Sequence, residues 1–352
     1  FSPWEDCPTQ HPCELIYSDN LSTPADAVLF HLHKMTKLDA IEISNFSRRH
    51  RDPKQIWVFL TDESPLHTII YPEYDNLFNF SMTYRSDSDV WVPYGRTVRK
   101  TNASLLLEID SNFLLKIREK SKLVVVMGSN CSGEEISGSR RWSLVEALLK
   151  IFNEKEKNGD ENSDKIGKTS FLEKNNENYD GEVMRNIYDE IYKQISGNDE
   201  KTFNEQFNGT INRKINEKRI NEKIDKNFEF NLEIIGRCLN GNETACPGHF
   251  TRDCPLLDNY KFYLAFENSN CREYITEKVF WNAYTKFSVP VIMGAPRDDC
   301  EKLLPPDSFI HIEDFETAGE LADYLIFLGE NEEEYLKFHE WRRDYEIINE
   351  HG

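Results

Sequence analysis

Short apolar runs separated by polar, turn-forming stretches recur along this chain. Tyr260 to Phe266 is apolar and aromatic almost throughout, which predicts a buried strand. A polar loop follows, and Thr276 is placed to cap a helix that opens with Glu277 and Lys278. Val279, Ala283 and Phe287 recur at steps of four, with Phe280 and Tyr284 beside them, giving that helix one apolar face. Val289 to Met293 predicts a second buried strand, closed by Gly294. Strand, loop, helix and strand in this order make a parallel crossover, the unit of a doubly wound α/β sheet. The same patterning predicts strands at Ala27 to His33, Ile56 to Leu60, Leu123 to Met127 and Leu232 to Cys238, and a helix from about Ser139 to Phe152. Thr317 with Glu320 reads as a capping box for a helix through Leu328, and Tyr335 to Tyr345 as a last amphipathic helix. Residues 1 to about 55 otherwise read as turns.

In parallel sheets, ligands bind beyond the carboxyl ends of the strands. Here that position holds Glu267-Asn268-Ser269 and the start of the Thr276-Glu277-Lys278 helix. A helix N-terminus offers backbone N–H groups and partial positive charge, both suited to phosphate oxygens. A lysine in that first turn opposes the dipole unless an anion binds there. Arg140 and Arg141 open the helix after Leu123 to Met127, and arginine grips phosphate through two nitrogens at once. Glu63 follows the Ile56 to Leu60 strand, where α/β proteins place catalytic groups. Arg48, Arg49, His50 and Arg51 read as a solvated surface loop, with a ligand-site wall as the alternative.

Composition narrows the class. A formal net charge of -20 argues against nucleic acid as a partner, and any anionic substrate needs a local positive cluster. Eight cysteines without a paired Cys-x-x-Cys point to disulfides rather than zinc. Asn-x-Ser/Thr sequons at Asn20, Asn45, Asn79, Asn102, Asn130, Asn208 and Asn242 fit a glycosylated lumenal protein. Residues 153 to about 228 are dominated by Asn, Lys, Glu and Asp. They read as a largely mobile insertion with one helix near Val183 to Ile195.

Three motifs, Phe266-Glu-Asn-Ser269, Tyr274-Ile-Thr-Glu-Lys278 and Val289-Pro-Val-Ile-Met-Gly294, occur in order. With Glu63-Ser-Pro65, Thr83-Tyr-Arg-Ser-Asp-Ser-Asp89 and Ser308-Phe-Ile310, they resemble the α1,3-fucosyltransferase family, glycosyltransferase family 10. The resemblance implies a GT-B fold: two Rossmann-like α/β domains facing across a cleft, residues 1–120 for the acceptor and 121–352 for GDP-fucose. It implies Glu63 as general base. Donor contacts would come from Arg141 (Arg140 the close second), Asn268, Tyr274, Glu277 and Lys278. The implied reaction moves L-fucose, with inversion, to the 3-hydroxyl of a GlcNAc. The run through Cys271 and the Gly236-Arg-Cys238 element look closer to enzymes of the N-glycan core than to the Lewis type acting on lactosamine. A non-catalytic lumenal carbohydrate-binding protein is the reading of another class. No cofactor or metal is implied beyond a stimulatory divalent cation, and Asp87-Ser88-Asp89 reads as a structural turn with Arg85 paired to an aspartate. The family also implies the Golgi lumen, with a membrane anchor preceding a trimmed catalytic region.

Overall fold

The computed structural model describes residues 14–18, 20–21, 23–100, 111–131, 139–160, 228–246 and 253–350. Two parallel sheets organise them. The first runs β1 (Ala27–His31), α1 (Lys37–His50), β2 (Ile56–Thr61), β3 (Phe80–Thr83) and β4 (Val90–Trp91), in spatial order β1-β2-β3-β4. All its pairings are parallel. Phe30, Ala40, Ile43, Trp57, Tyr74 and Leu77 form its core. The Arg51 guanidinium lies 4.5 Å above the Trp57 ring.

The basic cluster expected in a loop instead belongs to α1, whose last turn carries Arg48, Arg49 and His50. Thr36 caps the helix by accepting from Asp39 N, and Asp39 accepts from Thr36 N at 2.6 Å. Cations at the C-terminal end suit the helix dipole. β1 stops at His31, two residues short of expectation, because Leu32–Lys34 turns into a 3-10 helix.

The chain leaves the first sheet through β5 (Gly95–Arg99) and α2 (Ser111–Arg118). It then builds β6 (Lys122–Met127), α3 (Arg141–Asp160), β7 (Glu229–Ile235), β8 (Tyr260–Phe266), α4 (Glu277–Phe280) and β9 (Val289–Met293). α5 (Arg297–Leu303), β10 (Ile310–His311), α6 (Ala318–Glu330), α7 (Glu332–Lys337) and β11 (Tyr345–Asn349) complete it. The second sheet is ordered β10-β9-β8-β6-β7 and is parallel throughout. Its central strands β8 and β9 have the expected bounds. Strands covered on both faces read as continuous apolar runs. The helix of α3 runs on to Asp160, past the expected start of the insertion at 153; residues 161–227, including the helix expected at Val183 to Ile195, lie outside the described residues.

Two helices depart from expectation. The helix after Thr276 ends at Phe280. Val279, Phe280, Ala283 and Tyr284 are buried as the pattern required, but Phe287 turns left-handed at φ 53°. The turn brings the Lys286 carbonyl onto the buried Lys120 ammonium at 2.8 Å. The last helix is α7 plus a 3-10 turn at Glu340–Arg343. Tyr345 onward is strand β11, antiparallel to β5 from Tyr345↔Arg99 to Asn349↔Gly95. The C-terminal strand thereby ties the second half of the chain to the first. Thr317 caps α6 as expected, yet the Glu320 carboxylate accepts from Glu316 N rather than from Thr317.

Candidate active site

The carboxyl ends of β2 and β8 face each other. Glu63 follows β2, and its Oε2 accepts from the Tyr274 hydroxyl at 3.0 Å and from Asn268 Nδ2 at 3.4 Å. Beside it, the buried hydroxyls of Ser64 and Ser269 lie 2.7 Å apart. His67 Nε2 is 3.4 Å from the Asn268 carbonyl. Glu63 itself is half-buried. Tyr274 packs against Tyr84 and Tyr94 at centroid distances of 5.0 and 6.3 Å. Tyr94 in turn donates to the Asp62 carbonyl at 2.8 Å. Burial raises the Tyr274 hydroxyl well above its ordinary value, so it stays a donor to Glu63.

Behind this contact lies a compact charge cluster. Lys278 Nζ is 2.9 Å from Glu267 Oε2, 3.0 Å from Glu277 Oε1 and 3.0 Å from Thr276 Oγ1. Glu267 is only 1% exposed and also accepts from Thr276 N at 2.9 Å and Thr276 Oγ1 at 2.8 Å. Burial raises its carboxyl above the usual range, against the pull of Lys278. Burial also opposes charge on Glu277, but there Lys278 wins and the carboxyl is lowered. Lys278 itself is disfavoured by burial, yet the two carboxylates hold it charged and raise it. Gly294 closes β9 against this cluster at φ +135°. A Cβ there would lie 2.7 Å from Glu267 Cβ, so only glycine fits.

Arg141 opens α3 and is buried. It donates to the Phe266 carbonyl at 3.3 Å and the Asn130 carbonyl at 2.9 Å. The Cys131–Cys238 disulfide pins the loop that carries Asn130. Ser139 donates to the Glu267 carbonyl at 2.7 Å, which fixes the start of α3 beside β8. Glu267 and Glu277 both favour the charged Arg141, against the burial that lowers it. Of the two arginines, Arg141 is the buried one and Arg140 is half-buried.

The six expected site residues therefore gather around one strand end, but two expectations about them change. α4 has only four residues, too short for a substantial dipole, and Thr276 Oγ1 already accepts from Lys278 N at 3.5 Å. The positive end of a helix is thus not the main attraction here. Lys278 is also not an open cation, because Glu267 and Glu277 already neutralise it. Glu267 had no assigned role in the sequence reading; its signal was a carboxylate closing a buried apolar strand. Asp87 is held by Arg85 at 2.6 Å and Asp89 accepts from Ser81, as a structural turn requires. Among the described residues, no group of three or more His, Cys, Asp or Glu side chains is placed to hold a metal ion.

The sequon asparagines Asn20, Asn45, Asn79, Asn130 and Asn242 are exposed; Asn102 and Asn208 lie outside the described residues. A second disulfide joins Cys246 and Cys254, while Cys271 and Cys300 are free. Cys7 and Cys13 lie outside the described residues. No described helix is long and apolar enough to cross a membrane.

Two parallel α/β units, facing each other with a carboxylate on one and buried cations on the other, define the GT-B class of fold. Known proteins narrow this. The model of the fucosyltransferase N-terminal region matches residues 2–95, and that of the glycosyltransferase family 10 (fucosyltransferase) C-terminal region matches residues 204–352. The chain belongs to glycosyltransferase family 10. It is 29% identical over 335 residues to the Mus musculus and Homo sapiens proteins named 4-galactosyl-N-acetylglucosaminide 3-alpha-L-fucosyltransferase 9. That alignment takes in 95% of this chain, which spans 65% of the length of each relative. Rattus norvegicus alpha-(1,3)-fucosyltransferase 7 is 27% identical over 330 residues, 94% of this chain and 61% of that protein. A solved alpha1,3-fucosyltransferase with GDP-fucose aligns at TM-score 0.35 and 15% identity, covering 91% of this chain and 70% of that one. Another, with GDP, aligns at TM-score 0.37 and 15% identity, covering 92% and 84%.

Proposed function

We propose that the chain is an inverting α1,3-fucosyltransferase that moves L-fucose from GDP-fucose to the 3-hydroxyl of a GlcNAc. One observation carries the reading: the Glu63 carboxylate reaches across from the first sheet and meets Tyr274 and Asn268 of the donor loop. Glu63 takes the proton of the acceptor hydroxyl. The freed oxygen attacks C1 of fucose, and the C1–O bond breaks with its electron pair passing to GDP. Arg141 and Lys278 stabilise the charge that gathers on the leaving diphosphate, from positions fixed before reaction. Tyr274, Asn268 and Glu277 orient the nucleotide sugar. A divalent cation enters this reading only as a stimulant of the reaction.

Lactosamine termini are the favoured acceptor, supported by relatives named for 4-galactosyl-N-acetylglucosaminide at 29% identity. The innermost GlcNAc of N-glycans is the second reading, supported by the Phe266 to Cys271 run and the Gly236-Arg-Cys238 element. Two disulfides and five exposed sequon asparagines support work in an oxidising, glycosylating lumen such as the Golgi. The test is GDP release with lactosamine and, in parallel, a glycopeptide carrying a trimmed N-glycan. Release with lactosamine alone supports the first reading, and release with the glycopeptide alone moves the acceptor to the core. GDP-fucose binding without release on either would make the chain a carbohydrate-binding protein.

A further inference from the structure

The residue just before Tyr274 has no place in the reaction above, yet its backbone and its side chain are both held. Glu273 holds a left-handed backbone at φ 59°, unfavourable for a residue with a side chain. Two sets of bonds keep it there. Its carboxylate reaches the first half of the chain and accepts from Ser86 N at 2.6 Å and Ser86 Oγ at 2.7 Å. Its own N–H donates to Asp299 Oδ2 at 2.9 Å. Asp299 is buried and is held through both oxygens by Arg272, at 2.6 and 2.8 Å. Ser86 lies two residues past Tyr84, whose ring packs on Tyr274. The Tyr84 to Ser86 loop is therefore gripped twice, by the ring of Tyr274 and by the carboxylate of Glu273.

We infer that Glu273 is a positioning residue: its grip on Ser86 sets the two halves in the register that places the Tyr274 hydroxyl on Glu63. The inference rests on Glu63 being the base. The geometry gives the reason. Tyr274 belongs to the second half and Glu63 to the first, so their 3.0 Å bond survives only if the halves keep their spacing. The Ser86–Glu273 pair lies one residue away in the loop and uses two short bonds to a carboxylate, the strong kind. Asp299 anchors the other side of the same residue. A shift of one ångström across the cleft would stretch the Tyr274 bond beyond hydrogen-bond length.

The acid limb of the pH profile of kcat/KM for the acceptor reads the base. Around Glu63 stand the Tyr84, Tyr94 and Tyr274 hydroxyls and the His31–Asp62 pair. A hydrogen bond donated to a carboxylate lowers its pKa, so losing it moves the limb upward. Tyr274→Phe is expected to move it upward. Glu273→Gln keeps the side-chain length but offers only one acceptor to Ser86. It is expected to move the limb in the same direction while GDP affinity stays unchanged, because the cation cluster is untouched. The double variant Glu273→Gln/Tyr274→Phe is expected to move it no further than Tyr274→Phe alone. Ser86→Ala, which removes one of the two bonds, should give a smaller shift of the same sign. Faster hydrogen exchange at residues 84–90 in Glu273→Gln would support the grip without using turnover. Shifts that add in the double variant, or a limb left in place by Glu273→Gln while Tyr274→Phe moves it, would overturn the inference. If Glu63→Gln retains full turnover, the base assignment itself fails and the inference goes with it.

Discussion

Lys278 offers the sharpest test, because its two roles respond to different rescues. Lys278→Met leaves Glu267 buried, with Thr276 as its remaining partner. Removing one member of a buried ion pair costs about 3–5 kcal/mol. At about 2.1 cal/mol/K per residue, a chain of 352 residues shifts by about 1.4 °C per kcal/mol, so Tm should fall by roughly 5 °C. The pH dependence follows from the sign of the shift. Burial already holds the folded carboxyl of Glu267 above its unfolded value, and losing Lys278 raises it further. The folded state then binds more protons than the unfolded one, so stability is lost as pH rises above the ordinary glutamate range. The penalty should be smaller at pH 5 than at pH 8. Lys278→Met/Glu267→Gln removes one charge of each sign, keeps the wild-type net charge and should restore part of the Tm, the remainder reflecting Glu277 left without its lysine. GDP binding should not recover. A charged hydrogen bond to phosphate is worth about 1.5–3 kcal/mol, so calorimetry should show affinity down by roughly 10- to 150-fold. Wild-type GDP affinity in the double variant would refute the diphosphate role of Lys278, since neither net charge nor misfolding would then hide it.

Glu63→Gln should lower transfer by roughly a hundred- to ten-thousand-fold while GDP affinity holds; calorimetric loss of GDP binding would place the residue in the donor site instead. Gly294→Ala puts a methyl against Glu267 Cβ at a left-handed φ, and should cost more than about 1 kcal/mol in denaturant titration and weaken GDP binding. His311 is buried and lowered to about 4 by burial, so the folded state binds fewer protons than the unfolded state between about 4 and 6.5. Stability should therefore fall as pH drops through that window and level off below it, and His311→Gln should flatten that part of the curve.

Elements buried on both faces were legible, and elements held by distant partners were not. Tyr260–Phe266 and Val289–Met293 needed no partner to be recognised, because their apolar runs admit no amphipathic reading. α1 escaped because its inner face is thin. Ala40, Ile43 and Ser44 are buried, whereas Leu38 is 76% exposed, so the apolar positions blur rather than mark one stripe. Its end signals were present in Thr36 and Asp39 and in the basic last turn. β11 shows the opposite case. Tyr345 to Asn349 becomes a strand because Gly95 to Arg99 pairs with it, a partner about 250 residues away. No local pattern announces that.

The site divides along the same line. Motif and strand position gave the residues at the cleft, since a loop that closes a parallel strand must face the ligand side. The ionisation partners of those residues depend on which side chains the fold stacks behind the strand end. Glu267 stood in plain view between Phe266 and Asn268, yet only its depth makes it the counter-ion of Lys278. That pairing changes how the proposed donor binding would work. Arg141 and Lys278 face Glu267 and Glu277, so the cluster is near neutrality before any phosphate arrives. In a chain of net charge -20 no surplus field draws the anion in. Under the proposed donor role of Lys278, the diphosphate would compete there with carboxylates already in place. A carboxyl that burial keeps above its usual range is the one most readily protonated when that competition is lost. Under the proposed donor role, protonation of Glu267 would let the cluster accept an anion without leaving a second buried negative charge behind.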